Sequence, residues 1–475
     1  MMKKLYITTP IYYVNDKPHI GHAYTTVAAD VLARYYKALG REVFFLTGTD
    51  EHGAKIAEAA KAAGKEPKAF VDSLAPQFQK AWENLNIEYD QFFRTTNPEH
   101  EKVVQEFVAK LKERGYIEKR KYEGLYCIGC ERFVQKNELI DGKCPDHNTE
   151  PEIHSEENYF FLLKRAAEDF GLLNIIEKDE LIVAPEGRKN EVIGKIKQGL
   201  DDVSISRAGV TWGIPFPGDD TQTVYVWVDA LINYWSATKI YKNPPEWPTD
   251  LHLMAKDILW FHAIIWPAML LALGLPLPKK VFAHGFFTVG GKKMSKTVGN
   301  VLDPNDLVKK FGTDAVRYAL LREFPFGEDG DISEEKIAER YNKDLANGLG
   351  NLVNRTISMM NKYQIKLEIR NSKLEANPNV QIKKIQKNIE ELRFYEALGG
   401  IGNIINGLNV YIDKEKPWEL AKSDSEKLSE VLLSVHMSLS SLVLLLAPFM
   451  PESAEKMKNQ LETLKPEPLF PRIED

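Results

Sequence analysis

Apolar and polar positions alternate with two different periods over the first hundred residues. Short apolar runs at residues 5–9, 41–47 and 90–94 predict buried strands, and Pro10 marks the start of the loop after the first one. Helical spacing predicts helices at residues 23–39, 54–63, 67–85 and 98–114, the first of which ends at Gly40. Strands that alternate with helices predict a parallel sheet with right-handed crossovers, so the expected fold class is α/β.

This rhythm is interrupted and then resumes. Segments between about Gly115 and Gly209 are short and mixed, which is typical of an insertion. Strand patterns return at residues 223–228, 251–255 and 281–283, with a helical pattern at 258–273. The sequence therefore predicts an α/β domain split into residues 1–115 and 211–325 around an insertion at 116–210.

The chain beyond Pro304 is almost wholly helical in its pattern. Apolar residues at helical spacing predict helices at residues 334–362, 381–413 and 428–446, separated by proline-containing turns. Residues 326–475 are therefore expected to form an α-helical bundle appended to the α/β core.

Composition places the chain among soluble globular proteins. It is 44% hydrophobic and 27% charged, and its net charge of −6 means that a polyanion must bind through local basic patches. Residues 258–277 are apolar and about long enough to span a membrane, but they include His262 and Pro267, so a helix buried under a sheet is preferred. No apolar signal core follows the basic start, and we expect a cytoplasmic protein without a membrane partner.

All the cysteines of the chain lie inside the predicted insertion. Cys127 and Cys130 form a C-x2-C pair, and after thirteen residues Cys144 and His147 form a C-x2-H pair. Three thiolates and one imidazole make a closed tetrahedral set for Zn²⁺ with no position left for water. The odd count argues against disulfides, and unrelated reduced thiols are the alternative. We expect one structural zinc ion per chain that keeps the insertion folded.

Two histidines lie where the first strand is followed by the first helix, in His19-Ile20-Gly21-His22. In an open α/β sheet this place borders the binding crevice, and a helix N-terminus presents N–H groups to an anion. Imidazoles can donate hydrogen bonds to phosphate oxygens there, and Gly21 allows close approach of a nucleotide. The alternative is a pair of ordinary surface histidines.

A glycine- and lysine-rich segment follows a strand in the second half of the domain. It has the sequence G-G-K-K-M-S-K-T at residues 290–297. Lys293 and Lys296 can bind a triphosphate tail, whereas a solvated basic loop is the alternative. Because each motif ends a strand in one half of the domain, both are expected to face one phosphate chain at the switch point of the sheet.

Together the two motifs resemble the paired signature of the class I aminoacyl-tRNA synthetases, with Thr297 where the family has Ser. The cysteine spacing resembles the single zinc knuckle of the methionyl-tRNA synthetase family, and residues 9–13, 48–53, 226–230, 261–262 and 266–267 agree with it. The resemblance covers nearly the whole chain. It implies a split Rossmann-type parallel-sheet catalytic domain with a zinc-containing insertion, followed by an α-helical anticodon-binding bundle.

The resemblance implies ATP-dependent activation of L-methionine to methionyl-adenylate and transfer to tRNA(Met), including the initiator, with AMP and diphosphate as products. No covalent nucleophile is needed, because the methionine carboxylate attacks the α-phosphorus and the protein aligns the reactants. Transfer is expected to the 2′-hydroxyl of the terminal adenosine, and Mg²⁺ accompanies ATP. The two histidines and two lysines carry catalysis, and the implied ATP site is His19, Gly21, His22, Lys293, Ser295 and Lys296.

A pocket for methionine should be apolar and aromatic, because its thioether is flexible and polarisable. By resemblance, Tyr234 and the backbone N–H of Ile11 contact the sulfur, and Asp50 holds the ammonium group. Composition alone favours core packing for the aromatic members, and Ile265 stands where many relatives have Phe. The implied pocket is Ile11, Tyr13, Asp50, Trp227, Ala230, Tyr234, Ile258 and His262.

The helical bundle is expected to read the tRNA. Asn351 and Arg355 are four residues apart, which places them on one helix face, and Trp418 follows Lys416-Pro417 at a helix start. Single-stranded RNA bases are read by stacking and by hydrogen bonds to their edges, and by resemblance these three residues contact the CAU anticodon. The alternative is that Trp418 anchors its helix and Arg355 is solvated.

Other functions remain to be weighed against this hypothesis. A nucleotidylyltransferase with an H-x-G-H motif would need neither the bundle nor the insertion. A tRNA-binding relative without catalysis would have damaged ATP motifs, and another class I synthetase of an apolar amino acid would differ in its pocket. The sequence also leaves open a separate tRNA-binding subunit acting in trans.

Overall fold

The first strand of the chain lies inside a parallel sheet with a neighbour on each side. The computed structural model describes residues 4–129, 132–134, 136–145, 148–293, 301–367, 378–471 and 473. The first half of the α/β domain consists of β1 (Leu5–Tyr13), α1 (Ile20–Ala38), β2 (Val43–Asp50), α2 (Ala54–Ala62), α3 (Pro67–Asn84), β3 (Gln91–Arg94) and α4 (Pro98–Glu113). These elements confirm the predicted alternation of strands and helices.

One difference lies in β1, which continues through Pro10 where a loop was predicted. Its pairing with β2 shifts register between Thr8 and Ile11. At such an irregularity the ladder does not require an N–H from every residue, so a proline is tolerated. The strand therefore reaches Tyr13, and its last residues face the carboxyl end of β2.

The region predicted as an insertion contains mostly antiparallel strands. In chain order it comprises β4 (Ile117–Cys127), β5 (Arg132–Val134), β6 (Glu152–Phe161), α5 (Leu163–Asp169), α6 (Leu172–Glu177), β7 (Ile182–Ala184), α7 (Glu186–Gln198), β8 (Val203–Ser204) and β9 (Ser206–Arg207). One antiparallel sheet has the order β5-β4-β6-β8. β7 is different, because it pairs in parallel with the strand Lys280–His284 and so returns to the main sheet.

The second half of the α/β domain follows two short strands, β10 (Pro215–Phe216) and β11 (Asp219–Val224). It contains α8 (Val226–Ile240), β12 (Leu251–Ala255), a 3-10 turn (Lys256–Ile258), a π-helical turn (Phe261–Ile265), α9 (Trp266–Ala272), β13 (Lys280–His284), β14 (Phe287–Val289), β15 (Lys292–Lys293), α10 (Pro304–Phe311), α11 (Thr313–Arg322) and β16 (Gly330–Asp331). The apolar run at residues 258–277 thus contains one helix, interrupted in its hydrogen-bond pattern by a π-helical turn, that ends at Ala272. Ala263, Ile264 and Met269 in it are fully buried.

The strand predicted at residues 223–228 is wrong. β11 ends at Val224 and belongs to a small antiparallel sheet with β9 and β10, and α8 begins at Val226. Val228, Leu231 and Ile232 are all buried, so α8 is covered on several sides. Burial of this kind overrides the weak intrinsic preference of β-branched residues for strands.

The main sheet has the strand order β3-β2-β1-β12-β13-β7. β1 pairs with β2 on one side and with β12 on the other, both in parallel. The order therefore reverses between β1 and β12, and the crevice outside their carboxyl ends is where α/β sheets bind ligands.

The bundle begins with α12 (Glu334–Arg340), a π-helical segment (Tyr341–Gly350) and α13 (Asn351–Lys362). It continues with α14 (Pro378–Glu390), α15 (Phe394–Glu415), α16 (Pro417–Ser423), α17 (Ser425–Leu446) and α18 (Pro451–Thr463). The single helix predicted at residues 381–413 is two helices, because Leu392 adopts a left-handed φ of 62° between them. Within the described ranges, α17 alone is long and apolar enough to cross a membrane by length and composition. Its Val435 and Leu439 are fully buried in the bundle.

The bundle is tied to the α/β domain through a buried arginine. Arg317 of α11 donates to the Asp30 carboxylate of α1 at 2.6 Å and to the carbonyl oxygens of Pro448 and Phe449, both at 2.9 Å. Neither charged side chain is exposed. Pro448 and Phe449 connect α17 to α18, so the arginine holds this connection against α1. Loss of either charged partner would leave an uncompensated buried charge.

Candidate functional site

His19 caps α1, the helix that starts at the switch point of the sheet. Its Nδ1 accepts a hydrogen bond from the Gly21 N–H at 3.1 Å, and Nδ1 of His22 accepts one from the His19 N–H at 3.2 Å. The two rings stack with their centroids 3.8 Å apart and their planes 25° apart. The predicted motif is thus held in fixed positions in the first turn of the helix.

Both imidazoles are uncharged near neutral pH. Burial lowers the pKa of His19 to about 4, and burial followed by the charge of His19 lowers the pKa of His22 well below 6.5. Because Nδ1 of each ring accepts a backbone N–H, the single proton of each neutral ring is on Nε2. Each ring can therefore donate one hydrogen bond to an anion without being charged itself.

Acid should destabilise the protein through these rings. The depressed pKa of His19 stabilises the fold above 6.5, the usual value, and this contribution is lost as the pH falls toward about 4. His19→Asn retains a good capping acceptor but does not titrate. We expect its melting temperature, followed by circular dichroism, to fall less steeply with acidification than that of the parent chain. His436→Asn, in the bundle, is the control and should follow the parent; equal slopes for all three proteins would contradict the assigned pKa.

The lysine-rich segment begins as a hairpin beside α1. β14 and β15 pair antiparallel, and Gly290 and Gly291 turn between them with φ of 61° and 74°, values that favour glycine. The Gly291 N–H donates to the Asp331 carboxylate at 2.7 Å. Residues 294–300, which include Ser295, Lys296 and Thr297, lie outside the described residues, as does the side chain of Lys293.

The helix that begins at the histidine motif contacts the chain before and after the lysine segment. The Ile20 N–H, inside the histidine motif, donates to the Leu302 carbonyl oxygen at 3.0 Å. Thr25 of α1 lies 2.6 Å from Nε2 of His284, which ends β13. The chain on both sides of the lysine segment therefore contacts α1, as a shared phosphate site requires.

Most of the residues predicted for a methionine pocket lie in one apolar cluster. Ile11, Ala230 and Tyr234 are buried within it, and Tyr13, Trp227 and Ile258 pack against it as partly buried residues. The indole of Trp227 stacks on Phe261 with centroids 4.2 Å apart and planes 10° apart. Sequence reasoning gave Phe261 no role, although its neighbour His262 was singled out.

Tyr234 and His262 form an uncharged polar pair in this cluster. The Tyr234 hydroxyl is 2.8 Å from Nε2 of His262, and Nδ1 of His262 is 2.9 Å from the Ile258 carbonyl oxygen. A carbonyl oxygen only accepts, so Nδ1 carries the proton and Nε2 accepts from Tyr234. Burial lowers the pKa of His262 to about 4, and burial raises the pKa of Tyr234. An apolar wall with a neutral polar pair suits a thioether better than a charged group.

Asp50 supplies a buried carboxylate at the rim of this cluster. It ends β2, and its register partner on β1 is Tyr13. The residue is 6% exposed, and its carbonyl oxygen accepts the Val14 N–H at 3.1 Å. The predicted ammonium partner thus lies next to the strand that carries Ile11.

The cysteine cluster is described in part. Cys127 at the end of β4 and Cys144 are both buried and belong to one small cluster with Val134. Between them, Ile140 and Lys143 form a short antiparallel bridge. Cys130 and His147 lie outside the described residues.

The three residues predicted to read an anticodon lie on the bundle. Asn351 and Arg355 are one turn apart on α13, and the Arg355 guanidinium lies 5.1 Å from the centroid of the Trp418 ring. Arg355 also pairs with Asp413 of α15 at 2.7 Å. Trp418 is 39% exposed, so it offers an open aromatic face rather than a buried helix anchor.

Sequence reasoning missed a cluster of two histidines around Asp229. Nδ1 of His52 and Nε2 of His100 each lie 2.7 Å from one oxygen of the buried Asp229 carboxylate. The available signal was the aspartate itself, because an acidic residue inside the apolar run at 226–230 must have partners if it is buried.

Comparisons with known proteins agree with this geometry. The sequence profile described as "tRNA synthetases class I (M)" matches residues 5–150 and 135–357, and that of the "Anticodon-binding domain of tRNA ligase" matches residues 371–470. The methionine–tRNA ligase of Caldanaerobacter subterraneus is 46% identical over 97% of this chain and 74% of its own length. That of Thermotoga maritima is 44% identical over 99% of this chain and 80% of its own length.

A solved structure is similar over nearly the whole length of both chains. Methionyl-tRNA synthetase of Mycobacterium tuberculosis in complex with methionyl-adenylate is 37% identical, with a TM-score of 0.91 over 99% of this chain and 100% of that one. The free form of the same enzyme gives a TM-score of 0.85 at 34% identity over 100% of this chain and 99% of that one. On these similarities the chain belongs to the class I tRNA synthetases, in the family of methionine–tRNA ligases.

Proposed function

We propose that this enzyme activates L-methionine with ATP to methionyl-adenylate and then transfers the methionyl group to tRNA(Met). The observation that carries the proposal is that β1 leads directly into both parts of the site. Its carboxyl end brings Ile11 and Tyr13 to the apolar cluster, and the loop after it leads to His19 and His22 at the cap of α1. An amino acid carboxylate and an α-phosphate bound at these places lie side by side at the switch point.

In the proposed first step an oxygen of the methionine carboxylate forms a bond to the α-phosphorus of ATP. The bond from that phosphorus to the bridging oxygen breaks, and diphosphate leaves with the electron pair. The Nε2–H groups of His19 and His22 donate to phosphate oxygens as their charge grows, and Gly21 leaves room for the nucleotide. Lys293, Ser295 and Lys296 hold the departing phosphates, and Mg²⁺ bound to ATP neutralises part of their charge.

Methionine is recognised in two ways, by a charged group that binds its ammonium group and by an apolar pocket that fits its side chain. Asp50 pairs with the ammonium group, and Ile11, Tyr13, Trp227, Ala230, Tyr234, Ile258 and His262 surround the side chain. An apolar pocket separates substrates that differ by a methylene only modestly, by about 1–3 kcal/mol. ATP–diphosphate exchange with each of the twenty amino acids tests the proposal, and methionine should dominate. Equal or faster exchange with leucine or isoleucine would overturn it.

We also propose the division of the chain into residues 1–115 and 211–325 as catalytic halves, 116–210 as an insertion and 326–475 as the anticodon-binding bundle. The return of β7 to the main sheet means that the insertion is not one continuous excursion. A cytoplasmic location stays a prediction, and a tRNA-binding subunit acting in trans stays an open alternative that charging by the purified chain alone tests.

A structural zinc ion fits the part of the insertion that is described. Two of its four proposed ligands, Cys127 and Cys144, are buried side chains in one small cluster that has little other apolar content. Such a segment would gain its stability from bonds to the metal, and Cys130 and His147 would complete the ligand set. The metal would hold the fold of the insertion and take no part in the chemistry.

Loss of the metal should unfold the insertion but leave the rest of the chain intact. We expect elemental analysis to find about one zinc ion per chain, and Cys144→Ser to lose it, because three ligands bind zinc far more weakly than four. Limited proteolysis should then cut within residues 127–150 much faster, and added zinc should reverse this for the chelated parent but not for the variant. Unchanged cleavage after complete removal of the metal would contradict the structural role.

The bundle should contribute to tRNA binding without affecting amino acid activation. Trp418→Ala removes an aromatic face of a kind that is worth about 1–3 kcal/mol per stacked base, so the KM for tRNA should rise about 5- to 150-fold. ATP–diphosphate exchange, which needs no tRNA, should stay at the parent rate. Leu444→Ala, on the exposed surface of α17, is the control. An equal loss in exchange and in charging by Trp418→Ala would refute this role, and Asn351→Ala and Arg355→Ala should behave as Trp418→Ala does.

A further inference from the structure

Asp229 is a buried carboxylate enclosed by two histidines from different parts of the chain. Asp229, His52 and His100 are 1%, 4% and 0% exposed. An ionised carboxylate only accepts hydrogen bonds, so Nδ1 of His52 and Nε2 of His100, each 2.7 Å away, both carry protons. The second nitrogen of His100 is 2.8 Å from the Ser236 hydroxyl, which fixes that ring in turn.

The cluster connects the two elements that form the proposed methionine site, which are α8 and the loop after β2. Asp229 lies in the first turn of α8, the helix that also carries Trp227, Ala230 and Tyr234. His52 lies in the loop after β2, two residues beyond Asp50. The hydrogen bond between them is therefore a direct link from the pocket helix to the loop of the ammonium partner.

Trp212 holds the same loop from the other side. Its Nε1 donates to the Glu51 carbonyl oxygen at 2.6 Å, and its own carbonyl oxygen accepts the Gly53 N–H at 2.9 Å. The indole also lies edge-on to the His52 ring, with centroids 5.3 Å apart. Backbone contacts thus set the path of the loop, and the bond to Asp229 sets its distance from α8.

We propose that Asp229 is a positioning residue for methionine activation, which holds the Asp50 loop against the pocket helix through His52. This inference rests on the proposed function, since it takes Asp50 and α8 to form the methionine site. Asp229 acts through its neighbours and does not touch the substrate. A shift of the loop would move the ammonium partner while the ATP motifs on α1 stay in place.

The charges around His52 give the link a pH dependence. Burial lowers the pKa of His52, but Asp229, Glu101 of α4 and Glu51 of the loop outweigh it and raise the pKa above 6.5. Glu51 is itself paired with Arg94 of β3 at 2.6 Å, and His100 faces Asp229 from α4. The pair of charged His52 and Asp229 is present below the raised pKa of His52. As the pH rises through that pKa, the imidazole becomes neutral while the carboxylate stays ionised, so the link weakens in alkali.

The test compares steady-state ATP–diphosphate exchange by variants whose folding is checked by circular dichroism. Asp229→Asn should raise the KM for methionine about tenfold or more, with the KM for ATP within about twofold of the parent. His52→Asn keeps an N–H donor near the position of Nδ1 but cannot be charged. Its methionine KM should not change with pH and should lie near the value that we expect the parent to reach in alkali, where a neutral imidazole donates to Asp229. His52→Leu lacks the donor and should behave as Asp229→Asn does.

Asp306→Asn is the matched control, since it makes the same change in the first turn of α10, on a side chain that is 72% exposed. If Asp229→Asn does not fold, His52→Asn and His52→Leu test the inference instead. A higher methionine KM for His52→Leu than for His52→Asn would support it, and equal values would overturn it. A parent-like methionine KM in Asp229→Asn, or an equal rise in both KM values, would overturn the inference. Absence of methionine-dependent exchange in the parent would instead refute the proposed function.

Discussion

His22→Asn should lower the rate constant of methionine activation by a factor of about 10²–10³, the usual loss when one donor to a developing charge is removed. The Asn oxygen can still accept the His19 N–H, which is 3.2 Å from Nδ1 in the parent. The fold of the first turn is therefore retained, and only the Nε2–H is lost. The measurement is ATP–diphosphate exchange at saturating methionine and ATP.

His22→Gln is the companion variant, because its longer side chain brings an N–H donor to about the place of Nε2. We expect it to retain more activity than His22→Asn, by about tenfold or more. Such an order of rates identifies the hydrogen bond, rather than the ring or its stacking on His19, as the catalytic contribution. Activity of His22→Asn within about twofold of the parent would show that no phosphate contact is made there.

Asp50→Asn should reduce kcat/KM for methionine by a factor of about 30 or more, since the loss of one partner of a buried charge pair costs about 2–5 kcal/mol. Asp50 is 6% exposed and ends β2, so little water is present to replace it. The KM for ATP should change by no more than about twofold, because the nucleotide motifs lie on α1 and after β14.

Asp90→Asn provides the control for this loss of charge. Its carboxylate accepts the Phe45 N–H at 2.8 Å just before β3 starts, far along the sheet from the carboxyl ends. It should lower the melting temperature slightly and leave both KM values unchanged. If Asp50→Asn affected ATP and methionine equally, Asp50 would be a structural residue and not the ammonium partner.

The local parts of the site were predictable from the sequence. The position of His19 and His22 between a strand and a helix, the glycine-rich segment after a strand and the neighbouring positions of Asn351 and Arg355 each depend on residues within a few positions of one another. Strand–helix alternation also predicts the parallel sheet, and hence the crevice at its carboxyl edge. What the family resemblance added was the assignment of the aromatic residues of α8, which composition alone would leave in the core.

The parts that escaped prediction depend on distant residues or on tertiary packing. His52, His100 and Asp229 come from three elements, and no local period connects them. The run at 223–228 has strand composition, but β11 ends at Val224 and residues 226–228 begin α8. β7 is too short to be recognised apart from its partner β13. Pro10 ends a strand in most sequences, and only its register shift against β2 explains why β1 continues.

We expect this chain, without a partner, both to activate methionine and to read the anticodon. The most direct measurement is charging of tRNA(Met) by the purified chain alone, compared with the same tRNA carrying one substituted base in its CAU anticodon. We predict that methionyl-tRNA forms with the first tRNA, with the amino acid on the terminal adenosine, and that the substituted tRNA is charged far more slowly. Equal charging of both tRNAs would show that the chain does not read the anticodon, and adenylate formation without any charging would show that it does not complete the transfer alone.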